Sequence, residues 1–264
     1  MLAEILLYRL TRAEPWAHAL GLREGAVRLW SRHARCRKIW APHLEKTRRF
    51  VAQAAEAVPG RGTALVLGSG LLADVPLEAL RARFARVVLV DAVHLPIVRW
   101  RLRRATGVEF AVADLTGTAA GLARGDAPPE PGSRFGLDDA TVDFVVSLNL
   151  VSQLPLAPFD WLVDRLGWAE EAAAAYARRV VDAHFAHLAQ FRAPVCVIGD
   201  AARSFVDRAG RTAETEDALW GHRPPAADAE WSWDVAPLGE HDRNFAIRNQ
   251  VFAIRELRAN PLIV

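Results

Sequence analysis

From Thr63 onward the chain alternates short apolar runs with amphipathic stretches of helical period. The runs are TALVLG, VVLVD, VEFAVAD, TVDFVVSLN and APVCVIGD. Each has strand length, and none shows the every-other-residue polarity of a sheet with one wet face, so these strands are predicted to be covered on both sides. Between them lie DVPLEALRARF, LPIVRWRLRRA, the small TAAGLA and a long helical region after Gln153. Helical crossovers favour parallel neighbours, so the pattern predicts a doubly wound α/β sheet. The tail departs from it. EWSWDVAPLGE and NFAIRNQVFAIREL follow one another with no helix between them, which predicts an antiparallel strand pair at the sheet edge. Trp231 and Trp233 alternate in the first of these and share a face fit for packing or for lining a wall.

Residues 1–58 have helical period throughout. The clearest stretch is PHLEKTRRFVAQAAEAV, where Pro42 suits a first turn and Leu44, Thr47, Val51, Ala54, Ala55 and Val58 form one stripe before Pro59-Gly60 ends it. This divides the chain into an N-terminal helical cap, residues 1–60, and a main domain, residues 61–264. Two polar stretches interrupt the alternation, at residues 125–136 and 207–229, and each reads equally as a lid or as a surface insertion.

Composition narrows the function more than the fold. With 264 residues and 52% hydrophobic content, one α/β domain with an appendage is expected. A net charge of +2 is too small to point to nucleic acid. No apolar run reaches the roughly 18 residues of a membrane span. Cys36 and Cys196 stand far apart and no leader-like segment opens the chain, so a cytoplasmic protein is expected. Of the 33 basic residues only Lys38 and Lys46 are lysines. Arginines cluster in RLWSRHARCRK and VRWRLRRA; facing a cleft they would attract an anionic substrate, and at helical spacing they also make an ordinary solvated surface.

The chemistry-bearing segment is Thr63 to Asp91: a buried strand, the turn Gly68-Ser69-Gly70, a helix, and a second buried strand ending in a carboxylate. The glycines permit a sharp turn and a close backbone approach, and Asp91 at the neighbouring strand tip can accept hydrogen bonds from ribose hydroxyls. Gly68-Ser-Gly70-Leu-Leu-Ala73 also fits a dinucleotide fingerprint, but a pyrophosphate needs a helix N-terminus almost at the second glycine. Asp74-Val75-Pro76 reads as an N-cap and an early-turn proline, which starts the helix later and favours a ligand without pyrophosphate. Asp114 ends the third run, fit for a ligand contact or a helix cap, and Asn149 and Gln153 follow the fourth.

Taken together, LVLGSG, VVLVD, AVAD and LDDATVDFVVSLNLVSQL resemble, in that order, the glycine turn, ribose strand, adenine-side strand and post-loop strand of class I S-adenosylmethionine-dependent methyltransferases. The resemblance covers roughly residues 60–264. It implies a Rossmann-like, seven-stranded, mostly parallel sheet closed by an antiparallel pair, with S-adenosylmethionine across the strands' carboxyl ends. Gly68, Ser69 and Gly70 would lie on its amino-acid arm, Asp91 and the adjoining Ala92 at the ribose, Asp114 and Leu115 at the adenine, and Asn149 beside the reacting centre. Two positions depart from the family pattern: Val66 stands where members carry an acid, and Leu72 where they carry a glycine.

The activity so implied is methyl transfer to a small or medium-sized acceptor under the N-terminal helices. Trp40 and Gln153 are candidates for substrate contact and His33, His43 and His94 for a base. His184 lies on an apolar helical line and is expected to be a hydrogen-bonded packing residue. His33, Cys36 and His43 do not make a four-ligand zinc pattern, and no metal is expected. Three other readings stay open. GSGLLADVP is faintly similar to the turn of nicotianamine synthases, which transfer the aminocarboxypropyl arm; the fingerprint alone allows an NAD-dependent oxidoreductase; and the two departures allow a non-catalytic binding protein of the same fold.

Overall fold

The computed structural model describes residues 2–257. Three helices come first: α1 (Leu2–Leu10), α2 (Pro15–Ala19) and α3 (Leu22–Glu56). Then follow β1 (Thr63–Leu67), α4 (Leu77–Arg83), β2 (Arg86–Asp91), α5 (Pro96–Leu102), β3 (Val108–Val112), α6 (Ala119–Ala123) and β4 (Val142–Leu148). The chain continues with α7 (Leu156–Asp164), α8 (Glu170–Leu188), β5 (Val195–Val206), β6 (Thr212–Asp217), β7 (Ala229–Ala236) and β8 (Ala246–Ile254).

The strands form one sheet in the order β3-β2-β1-β4-β5-β8-β7, with β6 paired to β5 off that path. The β1–β2, β2–β3, β1–β4 and β4–β5 ladders are parallel, whereas β5–β8 and β7–β8 are antiparallel. The expected seven-strand path and its closing pair are therefore present. Strand order reverses beside β1, which has β2 on one side and β4 on the other. A sheet of this kind opens a crevice at that switch point, outside the strands' carboxyl ends.

All five residues of β1 are buried, as are the middle four of β2. One face of the sheet carries a core in which Val51 and Ala54 of α3 and Leu80 of α4 meet Val66, Val87 and Val146. The other packs Val181, Phe185 and Leu188 of α8 against Leu65, Val145 and Val197.

β3, at the sheet edge, has no buried residue and is not covered on both sides as expected; two further expectations are corrected. Pro42 does not open a helix: α3 runs through it for 35 residues. Pro42 is exposed, as is Lys38 one turn earlier, so the carbonyl that loses its N–H partner to the proline faces solvent. The second correction concerns residues 207–229, which contain β6 and not only a loop. All six β6 residues are exposed, so its place comes from backbone pairing with the far half of β5 and leaves no apolar pattern to read. The stretch 125–136 is tied down: the Tyr176 hydroxyl donates to the Pro129 carbonyl at 2.7 Å, and Gly132 N–H donates to Thr116 O at 2.8 Å.

Candidate active site

At the crevice the glycine turn is held by its neighbour strand. The N–H groups of Gly68 and Ser69 both donate to the carbonyl of Val90, at 2.9 and 3.0 Å. Gly68 has φ +82°, and a Cβ built there would sit 2.5 Å from Leu148 O; no other residue fits. Gly70, at φ +45°, meets nothing within 4 Å on the same test, so its bare face borders open space. Leu72 takes φ 60°. It thus keeps the left-handed backbone for which the resemblance expects glycine, and its side chain packs against the apolar clusters beneath. Val66 is buried in β1 and brings no carboxylate to the site.

Asp91 closes the turn. Its Oδ2 accepts the Gly70 N–H at 2.7 Å and its Oδ1 the Ala92 N–H at 2.8 Å. Burial pushes the carboxyl upward from its ordinary range, opposed by these hydrogen bonds and by nearby His94. A carboxylate has about four lone-pair sites, so both oxygens retain capacity toward a ligand.

Next to Asp91 is a cavity of about 160 Å³. Asp91, Ala92, Asp114, Leu115 and Gln153 line it, five of the residues singled out from the sequence. Leu150, Leu154 and Pro158 form another wall, and Trp16 of α2, Leu20 just after that helix and Leu22 of α3 complete it. These last three carry no sequence signal beyond a short apolar helical pattern. Asp114 also serves the backbone: Oδ1 accepts from Thr116 N at 2.9 Å and Oδ2 from Ala119 N at 2.8 Å, fastening the start of α6.

Asn149 follows β4 at φ 53°, a left-handed conformation that asparagine tolerates. Its Nδ2 donates to Asp74 Oδ2 at 2.8 Å, while its own Oδ1 is buried without a partner. Asp74 therefore is not the cap of α4. That helix starts at Leu77 with Pro76 at the N-cap and no capping side chain. The late start itself agrees with the sequence, and no helix N-terminus faces the second glycine.

The candidate bases lie elsewhere. His43 is buried between α3 and β7, stacked on Trp233 at 4.0 Å with an interplanar angle of 7°. Its Nδ1 accepts from Trp231 Nε1 at 3.0 Å, and burial lowers its pKa to about 3. Trp40 packs edge-on to Trp233 at 5.3 Å and donates to Val235 O at 2.9 Å, so it is a core residue away from the cleft. His33 lies half-buried beside Trp40, its pKa lowered by burial and by the charges of Arg37 and Arg101. His94 is buried, with Nε2–H donating to Ala111 O at 2.8 Å and its ring edge-on to Phe110. None of the three histidines lines the cavity. Sequence period placed His33 and His43 in the N-terminal helices; the amphipathic face of α3 turned His43 and Trp40 inward against the tryptophans of β7. The clustered arginines do not line the cavity either; Arg35 instead pairs with Glu240 at 2.6 Å. His184 is a packing residue, bonded to Ser147 Oγ at 2.8 Å. Among the described residues no cluster of three or more His, Cys, Asp or Glu could hold a metal ion, and no helix is long and apolar enough to cross a membrane.

The doubly wound sheet with its antiparallel closing pair is the architecture implied by the resemblance to class I S-adenosylmethionine-dependent methyltransferases. No protein-family model matches the chain, and no curated protein does. Similar solved structures include the N-methyltransferase NodS from Bradyrhizobium japonicum in complex with S-adenosyl-L-homocysteine, at 12% identity over 81% of this chain and 86% of that one, TM-score 0.39. A 1,6-didemethyltoxoflavin N1-methyltransferase from Burkholderia thailandensis is 14% identical over 92% of this chain and 91% of its own, TM-score 0.37. The amino pentose methyltransferase CalS10 from Micromonospora echinaspora is 16% identical over 84% and 96%, TM-score 0.33.

Proposed function

We propose that this chain binds S-adenosylmethionine at the switch point of its sheet and transfers the methyl group to a small-molecule acceptor. The observation that carries this reading is the hydrogen bond from Gly70 to Asp91 at the rim of the cavity. It sets a bare glycine backbone beside a carboxylate with spare acceptor capacity, the pair an adenosine ribose and its 5′ arm need. The residues fit such a ligand. Ala113, Leu115, Leu150 and Leu154 offer apolar lining for a purine, and Asp114 an acceptor beside them. A dinucleotide fits less well, because α4 begins only at Leu77 and offers no free amides to a pyrophosphate.

When bound, the cofactor supplies a methyl group on a positively charged sulfur. The protein's part is alignment and exclusion of water. Asp91 orients the ribose, the turn at Gly68–Gly70 directs the arm toward β4, and Trp16, Leu20 and Leu22 cover the adenosine side. No histidine lines the cavity, so an acceptor that presents a neutral lone pair suits this site.

Calorimetric titration with S-adenosylmethionine, S-adenosylhomocysteine and NADH tests the reading. Binding of the first two is expected; binding of NADH alone overturns it. The mass of the product separates methyl from aminocarboxypropyl transfer, and an absence of turnover with bound cofactor would leave a binding protein.

A further inference from the structure

On the β4 side of the turn stands a polar pair that no contact among the described residues completes. Asn149 Nδ2 donates to Asp74 Oδ2 at 2.8 Å, which fixes the amide and leaves Asn149 Oδ1 as a buried acceptor with no donor. Asn149 is 8% exposed. A buried amide oxygen without a donor is costly to keep, and a ligand that brings a donor removes that cost. Asp74 adds a carboxylate that makes no ion pair among the described residues: the nearby Arg48 guanidinium is spent on the carbonyl of Ala73 and on Glu45. Two acceptors, one of them charged, thus share a place at the carboxyl ends of β1 and β4. Their complement is a compact cation rich in N–H donors, which describes a primary ammonium.

The place of the pair along the crevice selects which ammonium. Gly68 lies against the end of β4, its Cα hydrogen pointing at Leu148 O and Leu150. Asp91 holds the turn from the tip of β2, and Asp74 meets Asn149 just past the end of β4. A ligand whose ribose rests on Asp91 extends its 5′ arm past Gly70 toward them. We propose that Asp74 and Asn149 seat the ammonium of the amino-acid arm of the bound adenosyl ligand, an inference that rests on the adenosyl reading of the site. Burial raises the Asp74 pKa to about 6, the expected state of a carboxylate whose counter-ion arrives with the ligand.

The test compares S-adenosylhomocysteine with 5′-methylthioadenosine, which has the nucleoside but no amino-acid arm. In calorimetric titrations of the full chain, Asp74→Asn should weaken S-adenosylhomocysteine binding at least tenfold and leave 5′-methylthioadenosine binding within about twofold, given the usual strength of charge-assisted hydrogen bonds. Equal weakening of both ligands, or no weakening of either, overturns the proposal. A measurement on the unaltered protein guards against a variant that does not fold: S-adenosylhomocysteine should bind at least tenfold more tightly than its analogue with hydrogen in place of the ammonium. Equal affinity there overturns the seat while leaving the adenosyl reading standing. Failure of the unaltered chain to bind either nucleoside removes that reading, and the seat with it.

Discussion

Asp91 Oδ2 accepts a 2.7 Å hydrogen bond from the backbone N–H of Gly70, 21 residues earlier in the chain. One carboxylate thereby ties the tip of β2 to the turn after β1 and still faces the cavity. Asp91→Ala removes the proposed ribose acceptor and leaves the Gly70 amide without its partner. Affinity for S-adenosylhomocysteine should fall about 10- to 100-fold, the worth of one or two hydrogen bonds to a charged group. Calorimetry against the unaltered chain measures it.

The two glycines of the turn should respond differently to alanine. At Gly68 the new Cβ would meet Leu148 O at 2.5 Å on a φ of +82°, so Gly68→Ala should lower stability by about 2–4 kcal/mol or prevent folding. At Gly70 there is room but φ is +45°, so Gly70→Ala should cost only about 1–2 kcal/mol. Its methyl group would nevertheless occupy space open to the ligand. Urea unfolding together with nucleoside titration separates the effects: Gly68→Ala fails in the first, Gly70→Ala mainly in the second.

His43 holds α3 to β7 through the stack on Trp233 and the bond from Trp231. His43→Ala should therefore lower stability by about 2–4 kcal/mol, as for other buried truncations that orphan a donor. Nucleoside affinity in the fraction that remains folded should be unchanged. A loss of affinity without loss of stability would return His43 to the site.

Two buried groups set opposite pH trends. Burial raises the Asp200 pKa from 3.8 to about 6, so between those values the folded state binds more protons than the unfolded, and stability falls as pH rises through that window. Asp200→Asn removes this penalty and should gain on the unaltered chain by about 1–3 kcal/mol between about pH 4 and about pH 7.5. Burial lowers His184 from 6.5 to about 3, so there the unfolded state binds the extra proton and stability falls as pH drops below 6.5. His184→Gln should flatten that acid limb. Urea midpoints across the pH range read both.

Along the chain, the legible parts were those governed by neighbours in sequence. Apolar runs without alternation marked β1 to β5, and the glycines with Asp91 marked the turn and strand tip, because strand burial and left-handed backbone are constraints on single short segments. β6 had no such mark, since its six exposed residues are held by backbone pairing alone. Pro42 misled for a related reason. A proline at a first turn and a proline on the solvent side of a long helix look alike until the packing of α3 is known.

By itself the sequence determined the alternation of β1 to β5 with helices and the closing strand pair, the sharp bend at Gly68–Gly70, and the absence of a helix start close behind it, all consequences of local sterics and hydrophobic period. Tertiary structure alone decided that His43 and Trp40 turn into the core, that Trp16 lines the cavity beside Asp91, and that Asp74 reaches Asn149 instead of capping α4. Those outcomes depend on desolvation and on which buried polar groups find partners, and both are settled only when segments distant in the chain meet.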